Sequence, residues 1–187
     1  MVTHLVIITF VKSSLSPVTR SELFRGSKLQ LQHDCRGIVH HEGELFIYSG
    51  SVLFNYLLSG KIISELYEDR SMERCAVSPT WDRLFRTTPS QHKLLALARD
   101  GTLLATLTHP ELEPPHGVHV IPACQVLVCG WRSHTMLQID SEGRRKLATL
   151  VEKMEGWRDP LSVCYSRTTS SIIVGQWRDN ILVFRVE

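Results

Sequence analysis

The sequence has no long apolar run, no closely paired cysteines and no marked excess of charge. A formal net charge of +2 over 187 residues is far from the strong basic surplus of a dedicated nucleic-acid binder. No apolar stretch approaches the roughly 20 residues that span a bilayer. The five cysteines form no C-x-x-C motif and are odd in number, which favours buried reduced thiols over a disulfide framework. We therefore expect a soluble, cytoplasmic protein with no membrane partner.

Hairpin signals recur along the chain at a nearly constant interval. Gly60, Gly101 and Gly143 each lie in a polar turn between two strand-like runs, and successive glycines are 41 and 42 positions apart. A small residue followed by Ile or Val begins another strand at a similar spacing, at Gly37, Ala76, Gly117 and Ser162. Such a period indicates a repeat architecture.

Each repeat predicts four short strands joined by tight turns, which is the pattern of a propeller blade. We predict an all-β fold, a partial or small β-propeller of about four four-stranded antiparallel blades. Residues 1–34 are expected to form N-terminal strands of an incomplete or degenerate blade, and the blades themselves to cover residues 35–74, 75–115, 116–160 and 161–187. Residues 145–154 could form a short helix, but their place in the repeat favours a fourth strand. Residues 5–11 lack a basic leader and are predicted to be a strand, which could complete the last blade and close a small ring. We favour the alternative, in which the chain is an open fragment of a propeller and no ring is closed.

The two most similar repeats align at a constant offset of 46 residues. The matched positions are Val126, Val128, Trp131, Arg132 and Met136 with Ile172, Val174, Trp177, Arg178 and Leu182. Agreement on both sides of a loop predicts the same supersecondary unit, used twice.

Residues 115–120 (PHGVHV), 125–128, 133–140 and Gly143 resemble the NHL repeat, whose pattern is P-x-G-V-x-V, an apolar strand, a hairpin and a closing D-x-x-G. The resemblance covers residues 35–187 and implies a propeller similar to the C-terminal one of tripartite-motif-like proteins. Such modules typically bind protein or RNA, while other domains carry any ubiquitin-ligase activity, and this sequence has no RING, B-box or coiled-coil region. Trp81 and Cys124 depart from the usual turn glycine, so those turns should be remodelled or their blades weakened. Thr135 replaces the hairpin arginine.

A catalytic propeller, a hydrolase or metal-dependent lactonase, is the alternative that we disfavour. Its central channel would need carboxylates, and the predicted inner strands carry neither Asp nor Glu. His40, His119 and Cys164 could ligate zinc, but we expect them to face different sides and to be packed residues. The sequence contains no G-x-S-x-G, P-loop or dinucleotide motif. We expect no enzyme activity, metal, cofactor or small-molecule substrate.

Two groups of side chains are candidate binding sites. The first lies on the face formed by the second-to-third strand loops and the blade connections: Trp131, Arg132, Trp157, Arg158, Trp177 and Arg178. Trp and Arg are enriched at interface hot spots, and both can stack on unpaired bases. The alternative is that the tryptophans pack between blades and the arginines are merely solvated. Acidic residues such as Glu113, Glu155 and Asp159 share that face, so a protein partner is favoured and RNA is the alternative. The second candidate is a basic patch beside the glycine turns: Lys61, Arg99, Arg144, Arg145 and Lys146.

Overall fold

The secondary structure is almost entirely β in the computed structural model, which describes residues 4–7, 28–35, 37–41, 43–49, 52–68, 74–152, 155–177 and 180–186. The one other element within those ranges is a 3-10 turn at Pro89–Gln91. The strands are β1 His4–Ile7, β2 Lys28–Leu31, β3 Gly37–His41, β4 Glu44–Tyr48, β5 Val52–Leu57, β6 Ile62–Glu68, β7 Arg74–Val77, β8 Arg83–Thr88, β9 Lys93–Ala98, β10 Leu103–Thr108, β11 Pro115–Val120, β12 Val126–Gly130, β13 Thr135–Ile139, β14 Lys146–Val151, β15 Pro160–Ser166, β16 Ser171–Gln176 and β17 Ile181–Arg185.

Consecutive strands pair into antiparallel sheets that repeat along the chain. Strands β3–β6, β7–β10 and β11–β14 form four-stranded sheets, β15–β17 form a three-stranded one, and β1 pairs with β2. We term the first four sheets blades 1 to 4 in that order. The all-β prediction and the strand at residues 145–154 are confirmed, the latter as β14. The described part of residues 5–11 pairs with β2 instead of completing blade 4.

The blades stack on one another in sequence order. The first strand of each blade lies against that of the next, so β11 contacts both β7 and β15, and β3 contacts β7. Separate hydrophobic clusters fill the spaces between blades 1 and 2, 2 and 3, and 3 and 4. Gly117 explains how closely two inner strands approach: a Cβ there would lie 2.9 Å from Ser162 Cα. Each blade is therefore stabilised by burial against its neighbours.

Of the two outcomes expected at the turns without glycine, remodelled turns or weakened blades, the structure shows no remodelling at either turn. Trp81 and Cys124 keep the left-handed backbone, with φ of 62° and 60°, as Gly43 does at 90°. Each closes its turn through its own N–H, which donates to the carbonyl oxygen of Ser78 or Ile121. Both turns therefore have the geometry of the glycine turn, and the left-handed backbone destabilises the fold by roughly 1 kcal/mol per residue. At Trp81 the indole packs on Phe46, with ring centroids 4.8 Å apart, which offsets that cost.

The constant offset of 46 is wrong beyond the loop. Val128 pairs with Leu137, whereas Val174 pairs with Leu182, so the offset falls to 45. The Gln176 N–H donates to the Asn180 carbonyl, which makes the blade 4 loop three residues long where the blade 3 loop has four. Met136 therefore corresponds to Ile181 instead of Leu182.

Candidate binding cleft

The structure gathers most of the predicted loop residues at one edge of blades 3 and 4. Trp131 and Arg132 follow β12, Trp157 and Arg158 lie between β14 and β15, and Trp177 follows β16. Because successive strands run in opposite directions, the second-to-third loops and the blade connections end at the same edge. The shared face is thus explained by strand order. Arg178 lies outside the described residues.

An open cavity of about 640 Å³ lies at this edge and is the site that we term the tryptophan cleft. Its lining consists of loop residues and the end of β16: Trp131, Gly156, Arg158, Asp159, Gln176, Trp177 and Asn180. Three predicted residues, Trp131, Arg158 and Trp177, contribute to that lining directly. Arg132 is exposed and lies over the Trp131 ring, with its guanidinium carbon 5.4 Å from the centroid.

The two cleft tryptophans form an aromatic wall. Their ring centroids are 6.4 Å apart with an interplanar angle of 50°. His116 packs edge-on against Trp131 at 5.4 Å and supports it from the first strand of blade 3. Trp177 is 54% exposed, an unusual value for so large an apolar ring. The wall therefore presents apolar surface to whatever enters the cleft.

Trp157 has a different role from the one predicted. It is 2% exposed and packs in the cluster between blades 3 and 4, so it cannot contact a partner directly. Its indole N–H donates to the His134 carbonyl at 2.8 Å. The Asp159 N–H donates to His134 Nδ1 at 3.1 Å, and the Trp177 N–H donates to the Asp159 carbonyl at 3.0 Å. This chain of bonds holds the loops that carry Arg158 and Trp177.

Two hydrogen-bond donors in the lining have no acceptor among the residues that the structure describes. Trp131 Nε1 and Gln176 Nε2 are shielded from solvent and meet no acceptor in the part of the chain that the structure describes. A buried donor without a partner costs about 1–3 kcal/mol, so natural folds contain few of them. Both of these donors border the same cavity.

Gln176 was missed from the sequence, although a signal for it existed. By repeat alignment it corresponds to Gly130, where a Cβ would lie 2.1 Å from Ser133 Oγ and 2.7 Å from the Glu111 carbonyl oxygen. Blade 3 has no room for a side chain at that position, whereas blade 4 accommodates glutamine. The change from Gly to Gln between two similar repeats marks the place where the cleft opens.

Charges of both signs border the cleft. Arg158 is exposed, and the Asp159 carboxylate lies 3.5 Å from His134 Nδ1. The same nitrogen accepts from the Asp159 N–H at the shorter distance of 3.1 Å. The cleft can therefore donate through Arg158 and accept through Asp159.

The alternative basic patch is largely neutralised within the fold. Four of its five cations lie near carboxylates: Arg99 with Glu44 at 2.7 Å, Arg144 with Glu142 at 3.3 Å, Arg145 with Asp140 at 3.5 Å and Lys146 with Glu111 at 2.9 Å. Lys61 is exposed. The structure thus reduces the positive potential that these residues were predicted to present.

Glu111 links the connection between blades 2 and 3 to blade 3 itself. Its carboxylate accepts bonds from Thr149 Oγ1 at 2.6 Å and Lys146 Nζ at 2.9 Å, and these two donors, the hydroxyl first, lower the pKa of Glu111. Its carbonyl oxygen accepts from Ser133 Oγ at 2.8 Å and from Thr135 Oγ1. Thr135 and Ser133 therefore hold the loop that carries Trp131 against the connection between blades 2 and 3.

The possible zinc ligands do not converge. Within the described ranges no group of three or more His, Cys, Asp or Glu side chains could hold a metal ion. His40, His119 and Cys164 were all predicted to be packed, which is wrong for His40 and Cys164, since both are exposed. His119 is partly buried, and burial, followed by the nearby Arg167 charge, lowers the pKa of His119. No helix in the same ranges is long and apolar enough to cross a membrane.

Comparison with known proteins finds similarity in structure alone. No family model and no curated protein matches the sequence. Among solved structures, hydrazine synthase from Kuenenia stuttgartiensis superposes with a TM-score of 0.67 at 14% identity, covering 83% of this chain and 47% of the other. Virginiamycin B lyase from Staphylococcus aureus gives 0.61 at 13% identity, covering 98% and 60%. A streptogramin B lyase gives 0.58 at 12% identity, covering 83% and 57%.

These neighbours are β-propeller-like proteins. The fold is a partial β-propeller. The chain spans 47–60% of the length of the solved propellers named above, and at 12–14% identity the likeness concerns the fold and not the activity.

Proposed function

We propose that this chain is a non-catalytic binding module, a propeller of NHL-repeat type that binds a protein partner through the tryptophan cleft. The observation that carries the proposal is the convergence of Trp131, Trp177 and Arg158 around one open cavity. Aromatic and arginine side chains in such a setting are the residues that dominate interface energies. The hydrogen bonds beneath them preorganise the loops, which lowers the entropic cost of binding.

A protein partner suits the charges better than RNA does. Asp159 lines the cleft beside Arg158, so a phosphate backbone would meet repulsion as well as attraction. The basic patch, whose cations lie near carboxylates, offers little compensation. RNA is the second candidate because an exposed tryptophan beside an arginine can stack on a base.

An enzymatic role rests on the fold alone. Two of the structural neighbours are lyases by name, but propellers host many functions, and the sequence carries no recognised nucleophile motif. We further propose a cytoplasmic location, in keeping with five cysteines that are all free.

Affinity capture from cell lysate with the immobilised chain tests this function. The cleft variant Trp177→Ala/Arg158→Ala should lose captured proteins that the native chain retains, because both side chains line the site. The matched control Lys61→Ala/Arg99→Ala changes two exposed cations beside the glycine turns and should retain them. Retention by the cleft variant would overturn the proposed site. Loss of all captured protein after ribonuclease treatment would favour RNA instead.

A further inference from the structure

We infer that the tryptophan cleft recognises an extended, proline-containing peptide segment that is neutral or acidic. This inference rests on the proposed function and specifies the chemistry of the partner. Three features of the cleft lead to it: two unused donors, an aromatic wall and the arrangement of charge.

The unused donors define what the ligand must supply. Gln176 is only 9% exposed, and its Nε2, like Trp131 Nε1, is shielded and meets no acceptor among the described residues. Both groups donate and neither accepts at these atoms, so the matching ligand atoms are oxygens such as peptide carbonyls. An extended peptide presents carbonyls at regular intervals without internal hydrogen bonds, and each is available to an outside donor.

The aromatic wall selects among extended peptides. Trp131 and Trp177 form a tilted pair, and the half-exposed Trp177 ring offers a flat apolar surface beside the two donors. Aromatic-lined grooves bind proline-rich segments because the proline ring packs on the indole and the segment is already extended. Proline also lacks an N–H, so the backbone of a proline-rich segment offers carbonyl acceptors with few competing donors, which suits a wall that has two donors to satisfy.

The charges exclude two other classes of ligand for an aromatic site. Arg132 already covers the Trp131 ring and Arg158 lines the cleft, so a cationic ligand such as a methylated lysine would be repelled. Asp159 disfavours a phosphate backbone, whereas Asp159 and Asn180 can accept from peptide N–H groups. An acidic side chain flanking the prolines can pair with Arg158, while Asp159 and Asn180 are left to accept from the N–H groups of non-proline residues in the segment.

The test measures fluorescence anisotropy of labelled probes with the full chain. The probes are a polyproline decamer, an alanine–serine–glutamine decamer without proline, polyproline decamers flanked by two glutamates or two lysines, and a ten-nucleotide uridine RNA. We expect polyproline to bind about tenfold or more tightly than the proline-free peptide, and glutamate flanks to strengthen binding relative to lysine flanks. Trp177→Ala should weaken polyproline binding about tenfold or more, as expected for an anchor residue. Gln176→Leu, which keeps the volume and removes the donor, should also weaken it, whereas Arg99→Ala should not.

The other possible outcomes would refute either proline recognition or the binding site itself. Equal binding of the two unflanked peptides, with both weakened by Trp177→Ala, would refute proline recognition and leave the cleft as a protein-binding site. Polyproline binding that Trp177→Ala leaves unchanged, or no binding of any peptide, would also refute the inference, and the lysate capture then decides the proposed function separately. Binding of the uridine RNA alone would overturn both in favour of RNA.

Discussion

Trp157 and Trp177 both lie in loops at the cleft edge of the blades, yet replacing the first should reduce stability and replacing the second should reduce binding. Trp157 is 2% exposed, whereas Trp177 is 54% exposed. Removal of a buried tryptophan side chain costs about 3–5 kcal/mol, since the apolar contacts are lost and a cavity is left. Trp157→Ala should therefore destabilise the fold severely. Trp177→Ala should change the free energy of unfolding by less than about 1 kcal/mol.

Trp157→Phe isolates the contribution of the indole hydrogen bond. The phenyl ring keeps most of the apolar contact with Phe184, whose ring centroid is 5.8 Å away, but the 2.8 Å bond to the His134 carbonyl disappears. A buried acceptor left without its donor costs about 1–3 kcal/mol. For a chain of this length a 2 kcal/mol loss lowers the melting temperature by about 4–8 °C.

Thermal and urea unfolding followed by circular dichroism measure both effects. The stability order should be native chain, Trp177→Ala, Trp157→Phe and Trp157→Ala, from most to least stable. A Trp157→Phe variant that melts with the native chain, or a Trp177→Ala variant as unstable as Trp157→Ala, would refute the assignment of packing and binding roles.

Three further predictions test the blades and their chemistry. Gly117→Val should cost about 1–3 kcal/mol in urea unfolding, because its Cβ would lie 2.9 Å from Ser162 Cα on the next inner strand; native-like stability would contradict the close approach. Burial raises the pKa of the Cys129 thiol to about 12, so iodoacetamide at pH 8 should alkylate the exposed Cys164 and leave Cys129 unmodified until the chain unfolds. Glu111→Gln should cost less than about 1 kcal/mol at pH 7, since the carboxylate is partly exposed. Because the pKa of Glu111 is lowered in the fold, its stabilisation is present above about pH 4.3 and is lost as the pH falls through the folded pKa, so the variant and the native chain should converge in acid.

The repeat could be predicted because its signals are local. Gly60, Gly101 and Gly143 all adopt positive φ, and each glycine N–H donates to the residue three positions earlier, so one turn chemistry is used three times. The face shared by Trp131 and Trp177 also follows from sequence, since strand order alone determines it. The alignment of Met136 with Leu182 was wrong because the offset of 46 was extended through a blade 4 loop that is one residue shorter than the blade 3 loop.

The burial of individual side chains and the ion pairs between residues distant in sequence could not be predicted in the same way. Nothing local distinguishes the buried Trp157 from the exposed Trp177, because the difference depends on whether a neighbouring blade covers the ring. Likewise, Arg99 and Lys146 looked like parts of a basic patch, but Glu44 and Glu111, which lie 55 and 35 positions away, approach them only in the folded chain. The NHL resemblance has the same limit: it identifies strands and turns but not the cleft between blades.

Hydrogen–deuterium exchange of the chain with and without its bound partner tests the central claim most directly. If the tryptophan cleft is the binding site, amide protection should increase in residues 131–134, 155–159 and 176–177, which form its loops. Protection that appears instead around the glycine turns at residues 59–61, 99–102 and 141–145, with the cleft loops unchanged, would contradict the account.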